Sequence, residues 1–189
     1  PRPVRHLARD VSELVGDARV YGRLERLVSE AGVEAVYERS AFMQLSGVRL
    51  AAARGLPHVL EVNAPIEERR DHHGYPLFKI GVRREQEKMG LADQMVCVTS
   101  PLKTYLAERG ADPARISVIP NAVRPEVFAV EPEARAELRR RLGVAPDQVA
   151  VGYIGRFAFW RGMPALMAAC AQVAAATPRA HIVLVGDGQ

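Results

Sequence analysis

The spacing of apolar residues changes period repeatedly along this chain, and the changes alternate. Residues 17–31 set Val20, Leu24, Leu27, Val28 and Ala31 on a helical stripe with arginine and glutamate between them. Val33 to Glu38 predicts a short strand. Phe42 to Arg54 returns to helical spacing through Leu45, Val48, Leu50, Ala51 and Ala52, and Gly55 near Pro57 stops it. His58 to Val62 predicts a second strand. Residues 66–75 are polar and charged and read as an exposed loop. A helix from Leu77 to Met89, a strand from Gln94 to Thr99, and a helix capped by Ser100 with Pro101 in its first turn follow. Ile116 to Ile119 is a strand closed by Pro120-Asn121. Arg124 to Glu133, with Pro125 and Pro132, interrupts the rhythm as a connector. Then come a charged helix over Glu133–Leu142, a strand from Val149, an almost wholly apolar helix over Met163–Thr177, and a strand over Ala180–Val185. That helix is expected to lie buried against a sheet.

Strand–helix alternation of this kind predicts parallel βαβ units with right-handed crossovers. The proline-bearing connector predicts two of them. The expected fold is α/β, two Rossmann-like parallel-sheet units, both incomplete. The expected division is 1–122, then a connector and charged helix over 123–148, then 149–189.

Composition refines this only slightly. Of 189 residues, 48% are hydrophobic, enough for a real core, and the net charge is +4. All but three of the 26 basic residues are arginine. Such a balance fits an anionic partner or plain solubility. No apolar stretch is long enough to span a bilayer, and no secretion signal is visible at the start. The chain opens at Pro1 and stops at Gln189 just after Gly188, so both ends read as cut. Cys97 and Cys170 are isolated in apolar runs and read as reduced, buried thiols, which fits the cytosol.

The chemistry concentrates in a few places. Val149-Ala-Val-Gly-Tyr-Ile-Gly155-Arg156 is a strand ending in Gly-Arg; Trp160-Arg161-Gly162 then opens the apolar helix. Two guanidiniums thus stand where a strand ends and a helix begins. There, free N–H groups and the positive end of the helix dipole collect phosphate, and arginine grips phosphate oxygens two at a time. Gly162 can let a phosphate approach the backbone. Gly186-Asp187-Gly188 follows the last strand, at the edge where open α/β sheets bind ligands, and is also an ordinary turn sequence. Tyr37-Glu38-Arg39-Ser40 and Glu61-Val62-Asn63 end two strands of the first half and can line one wall of a cleft, or form an ion pair with a helix cap at Ser40. His72-His73 are adjacent residues, which rarely converge on one metal ion, and no metal is expected. An apolar setting raises a thiol's pKa, which argues against Cys97 as a nucleophile.

From about Glu34 to Gln189 these pieces resemble the family-four retaining glycosyltransferases of GT-B fold. The resemblance rests on Val36-Tyr-Glu-Arg-Ser40, Pro57-His-Val-Leu-Glu-Val-Asn-Ala-Pro65 and Val118-Ile-Pro-Asn-Ala-Val123. It rests most on Gly152-Tyr-Ile-Gly-Arg-Phe157 with Trp160-Arg-Gly162, and on Leu184-Val-Gly-Asp-Gly188. It implies an acceptor-side domain first and a sugar-nucleotide domain second. By the same resemblance Arg156 and Arg161 hold the donor diphosphate and act in catalysis, where relatives usually have lysine at the second position. Gly155, Gly162, Gly186, Asp187 and Gly188 border the donor, and Glu38, Arg39, Glu61 and Asn63 face the acceptor. Asn63 stands where many relatives have histidine, and it cannot serve as a general base. The donor implied is a UDP- or GDP-sugar without a metal cofactor. The acceptor implied is a saccharide, a small molecule or a lipid-linked glycan, at the cytoplasmic side and with peripheral membrane association. Nucleic acid is not an expected partner, because the arginines are dispersed without stacking aromatics. The family's paired glutamates and its first glycine-rich loop are not in these 189 residues, so the fragment is expected to have little or no transferase activity alone. A sugar-nucleotide epimerase on the same frame and a non-catalytic nucleotide-binding module remain as alternatives.

Overall fold

The computed structural model describes residues 2–65 and 77–188, which form two compact units, Pro1–Ala122 and Val123–Gln189. The expected 66–75 loop, His72-His73 included, lies outside the described residues.

In the first unit, β1 (Val36–Arg39), β2 (His58–Val62), β3 (Gln94–Cys97) and β4 (Ile116–Val118) form one sheet in that order. All its neighbours are parallel, with Arg39 beside Glu61, Leu60 beside Met95, and Met95 beside Ile116. The connections carry α2 (Ser46–Arg54), α3 (Phe78–Leu91) and α4 (Ser100–Glu108). Each crossover steps to the next strand in the same direction, so right-handedness places all three helices on one face. Burial agrees. Leu60, Val62, Met95, Cys97 and Ile116 pack with Met89, Leu102 and Leu106 into the core. Alternation along the strands turns Tyr37, Arg39, Glu61, Gln94 and Ser117 to the opposite face, where Tyr37 is 64% exposed.

Several boundaries differ from expectation for physical reasons. The first helix, α1, runs from Arg2 to Ala31 and not from residue 17. Its inward stripe contains Asp10 and Asp17, both buried, so an apolar-periodicity reading misses the turns before residue 17. Helix α2 begins at Ser46, not Phe42. Residues 40–45 form a loop in which Met43 is buried with a φ of 66°, a left-handed conformation that no helix accommodates. The cap of α4 is Thr99, whose Oγ1 accepts from Leu102 N–H at 3.3 Å, one residue before the expected Ser100.

In the second unit, α5 (Pro132–Arg141) is followed by β5 (Val149–Ile154), α6 (Met163–Ala176) and β6 (Ala180–Val185), with β5 and β6 parallel and in register from Val149–Ala180 to Ile154–Val185. Arg139 donates to Ala145 O and Gln148 O, tying the charged helix to the turn before β5. Helix α6 is not buried as its composition suggests: only Met163, Leu166 and Cys170 are half-buried. Two strands offer one narrow surface, and Met167 and Val173 stay exposed. Among the described residues no helix is long and apolar enough to cross a membrane.

Candidate functional site

The first unit gathers polar groups at the carboxyl ends of β1 and β2. Glu61 is the hub. Tyr37 Oη donates to Glu61 Oε2 at 2.7 Å, Asn63 Nδ2 donates to Oε1, and Arg39 Nε stands 3.7 Å from Oε1. Arg39 and Glu61 are register partners, so the cross-strand geometry places them on one face. The bond from Asn63 first, then that from Tyr37, holds the Glu61 carboxyl below the usual carboxylate range. The same bond from the other side raises the Tyr37 phenol above its ordinary value. Glu61 is therefore a fixed anion and an acceptor, poorly suited to take a proton at neutral pH. Arg39, 69% exposed along its side chain, keeps donors for a ligand.

Glu38 does not join this cluster. It shares the helix-covered face with Leu60, and its Oε2 lies 3.2 Å from Nε2 of His58, which is 1% exposed. A Cβ at Gly47 would come within 2.2 Å of that carboxylate oxygen, so the glycine in α2 makes room for it. Tyr37 belongs to the segment expected to line a cleft wall but is not among the residues expected to face the acceptor; the structure adds it to the cluster. The signal was present: in Val36-Tyr-Glu-Arg39, period-two alternation puts Tyr37 with Arg39 and sends Glu38 the other way.

Behind the cluster, the loop from Ser40 to Leu45 is held by side chains from other elements. Lys88 of α3, 1% exposed, donates to Ala41 O and Glu85 Oε1, both at 2.8 Å, and to Ser40 Oγ at 3.3 Å. Arg84 Nε donates to Met43 O at 2.7 Å. Asp17 of α1 accepts from the N–H groups of Leu45 (3.0 Å) and Ser46 (2.9 Å) and pairs with Arg84. An N-terminus left bare by its own sequence is thus capped by a carboxylate 28 residues away. Cys97 is buried, and desolvation pushes its thiol up, which leaves it protonated and unreactive.

In the second unit Gly155 and Arg156 follow β5, a 3-10 turn over Phe159–Arg161 follows, and Gly162 begins α6. Gly162 has a φ of 71°, which glycine adopts without strain, and no side chain caps the helix it opens. Among the described residues neither Arg156 nor Arg161 has a carboxylate partner in an ion pair. Both are exposed. Gly186 and Gly188 have a use that sequence reading did not foresee. A Cβ at Gly186 would lie 1.9 Å from Gly155 O, and one at Gly188 1.8 Å from Phe157 O. These glycines let the segments after β5 and β6 pair, with Gly155 N–H on Val185 O at 3.0 Å and Phe157 N–H on Asp187 O at 2.7 Å. Tyr153 steadies the same turn, donating to Arg156 O at 3.1 Å and stacking on Phe157. The structure thus brings Gly155, Arg156, Gly186, Asp187 and Gly188 together through their backbones, with Arg161 and Gly162 five and six residues further along at the helix start. Among the described residues no group of three His, Cys, Asp or Glu side chains gathers at ligand spacing.

The Tyr37–Glu61 bond makes a direct prediction. Folded Tyr37 will ionise above the ordinary value of 10 in an ultraviolet titration, and Glu61→Gln will move that step back down. The raised folded pKa means that this contribution to stability is complete below the unfolded value and disappears as pH rises through the folded one. Tyr37 ionising at 10 or below would contradict the bond.

Both units are parallel α/β layers whose candidate residues lie beyond the carboxyl ends of strands, the Rossmann-like class of ligand-binding fold. Residues 1–127 match the family model for Glycosyltransferase Family 4, and the chain belongs to that family. It is 31% identical over 146 residues to D-inositol 3-phosphate glycosyltransferase of Stackebrandtia nassauensis, covering 72% of this chain and 32% of that protein. The enzyme of the same name from Geodermatophilus obscurus is 35% identical over 95 residues, covering 50% and 21%. Anabaena Alr3699/HepE, solved in complex with UDP, superposes with a TM-score of 0.72 at 19% identity, over 90% of this chain and 44% of that one. That likeness establishes the fold as GT-B type. The chain spans less than half the length of the proteins it matches.

Proposed function

We propose that this chain is part of a retaining glycosyltransferase that moves a sugar from a nucleoside-diphosphate sugar to an acceptor, the first unit facing the acceptor and the second the donor. Membership of Glycosyltransferase Family 4 supports this reading. The observation that carries it is the pair Arg156 and Arg161, which have no carboxylate partner among the described residues, Arg156 just after β5 and Arg161 just before Gly162 at the start of an uncapped helix. Breaking a sugar–phosphate bond leaves charge on the departing diphosphate, and preorganised guanidiniums and helix N–H groups oppose it where it develops. Gly155, Gly162, Gly186, Asp187 and Gly188 form the loops around that anion. On the acceptor side, Arg39 and Asn63 donate to, and Glu61 accepts from, a hydroxylated ligand. The acceptor works at the cytoplasmic face of the membrane in this reading.

UDP is the first nucleotide to test, because the Anabaena structural neighbour binds it. Calorimetry of the whole chain with UDP and with GDP will show binding of one of them. Arg156→Ala and Arg161→Ala will each weaken it roughly ten- to a hundredfold, the loss expected for a hydrogen bond to a charged group. Equal binding in wild type and both variants would reject the diphosphate grip.

A further inference from the structure

Arg156 and Arg161 are both exposed, yet their backbones are held in different ways. The peptide group that joins Arg156 to Phe157 is clamped at both ends. Tyr153 Oη donates to its carbonyl, Arg156 O, at 3.1 Å. Its N–H, that of Phe157, donates to Asp187 O at 2.7 Å. On the other side of Arg156, Gly155 N–H donates to Val185 O at 3.0 Å. The Tyr153 ring lies stacked on Phe157, with centroids 5.9 Å apart and 29° between the planes. Its hydroxyl passes close over Gly155 to reach Arg156 O, since a Cβ at Gly155 would stand 3.1 Å from that oxygen. Among the described residues Arg161 has no comparable support from another element. Its N–H donates to Ala158 O at 2.9 Å and the next N–H, that of Gly162, to Phe159 O at 3.1 Å, both within the 3-10 turn before α6. A guanidinium on a long, rotatable stem is placed only as well as the main chain beneath it.

We propose that Tyr153 is a positioning residue for Arg156 and not for Arg161: its hydroxyl fixes the main chain from which the Arg156 guanidinium meets a diphosphate. This rests on the diphosphate reading of the second unit and adds to it the side chain that preorganises one of the two grips. The ring by itself does not suffice. Phenylalanine at this position keeps the stack on Phe157 and loses only the bond to Arg156 O. That bond is exposed, so the freed carbonyl turns to water and overall stability changes little. The loss falls on the placement of Arg156, which must then be fixed at the moment the ligand binds.

The test is a pair of double-mutant cycles on the whole chain, read by calorimetry with UDP. Tyr153→Phe will weaken binding roughly three- to tenfold, the loss of one neutral hydrogen bond. Added to Arg156→Ala it will change affinity less than about twofold, because no guanidinium is left to misplace. Added to Arg161→Ala it will keep its full effect. A purely structural role would carry the same loss into both backgrounds. Amide hydrogen exchange gives a second measurement. The Phe157 N–H will exchange faster in Tyr153→Phe, while the Leu166 N–H, bonded to Gly162 O at 2.9 Å, keeps its wild-type rate. Unchanged UDP affinity in Tyr153→Phe, an equal loss in both arginine backgrounds, or unaltered exchange at Phe157 would overturn the proposal. The two readings fail in different ways. If Arg156→Ala weakens UDP binding and Tyr153→Phe does not, the Tyr153 assignment falls alone. If the wild-type chain binds neither UDP nor GDP, or Arg156→Ala binds as wild type does, the diphosphate reading falls and takes this inference with it.

Discussion

Asp17→Ala is expected to cost the first unit about 3–5 kcal/mol, the loss typical of removing one partner from a buried ion pair. The carboxylate is 8% exposed and serves three donors at once: Leu45 N–H, Ser46 N–H and the Arg84 guanidinium. Its removal leaves two helix-end N–H groups and a largely buried cation without an acceptor, and each such orphan is costly. A small domain has a total stability of about 5–15 kcal/mol, so a large fraction is at stake. The comparison is Arg9→Ala, which deletes an i,i+4 pair with Glu13 from a guanidinium side chain that is 63% exposed; exposed pairs of this kind contribute at most about 0.5 kcal/mol. Urea unfolding of both variants checks the difference. If Asp17→Ala moves the midpoint no more than Arg9→Ala does, the carboxylate is not the tie between α1 and α2.

The consequence reaches the candidate site. The segment Asp17 caps is the one that Arg84 and Lys88 hold from α3, and it contains Met43 in its left-handed conformation. A non-glycine residue keeps such a conformation only when its surroundings dictate it. Ser40 and Phe42, in the same segment, line a cavity between α3 and α4. Loosening α1 therefore reshapes that cavity without touching a residue that lines it.

The contrast between what could and could not be read from the chain follows from the range of the forces involved. The strands of the first sheet were legible, because short apolar runs between helical stripes leave few alternatives to parallel βαβ pairing. Arg39, Glu61 and Asn63 were legible as neighbours because adjacent parallel strands end at one edge. The separation of Glu38 from Arg39 was legible too, from alternation alone, and was missed by treating the tetrapeptide as one patch. The loop from Ser40 to Leu45 was not legible. Its conformation is imposed by Asp17, Arg84 and Lys88, each far away in sequence, and local propensity favoured simply extending the helix. The exposure of α6 was illegible for another reason: composition says what a helix would bury, not whether enough surface stands opposite to bury it. The glycines after β6 carry the same lesson. Gly-Asp-Gly reads equally as a ligand turn or an ordinary turn, and only the approach of residues 155–157 shows what the missing side chains make room for.

That approach supports the second large prediction. Gly188→Ala places a methyl group where Phe157 O already stands, 1.8 Å away, with Phe157 C and Cβ at 2.6 Å. These are backbone and near-backbone atoms that no rotamer change can move. The two segments must part, breaking the Phe157–Asp187 bond and straining the Gly155–Val185 bond. The lost hydrogen bond, the strained one and the displaced turn together should remove about 2–4 kcal/mol. The control is Gly152→Ala within β5, whose added Cβ meets nothing within 4 Å and whose effect should stay within about 1 kcal/mol. Arg156 lies between Gly155 and Phe157, so its backbone loses its fixed position although no charge has changed. If Arg156 grips a diphosphate as proposed, Gly188→Ala will weaken UDP binding as much as Arg156→Ala does, and Gly152→Ala will spare it. Preorganised donors are effective because their placement costs nothing when the ligand arrives. A Gly188→Ala protein that unfolds and binds UDP like the Gly152→Ala control would show that the paired backbone after β5 and β6 does not position the arginine.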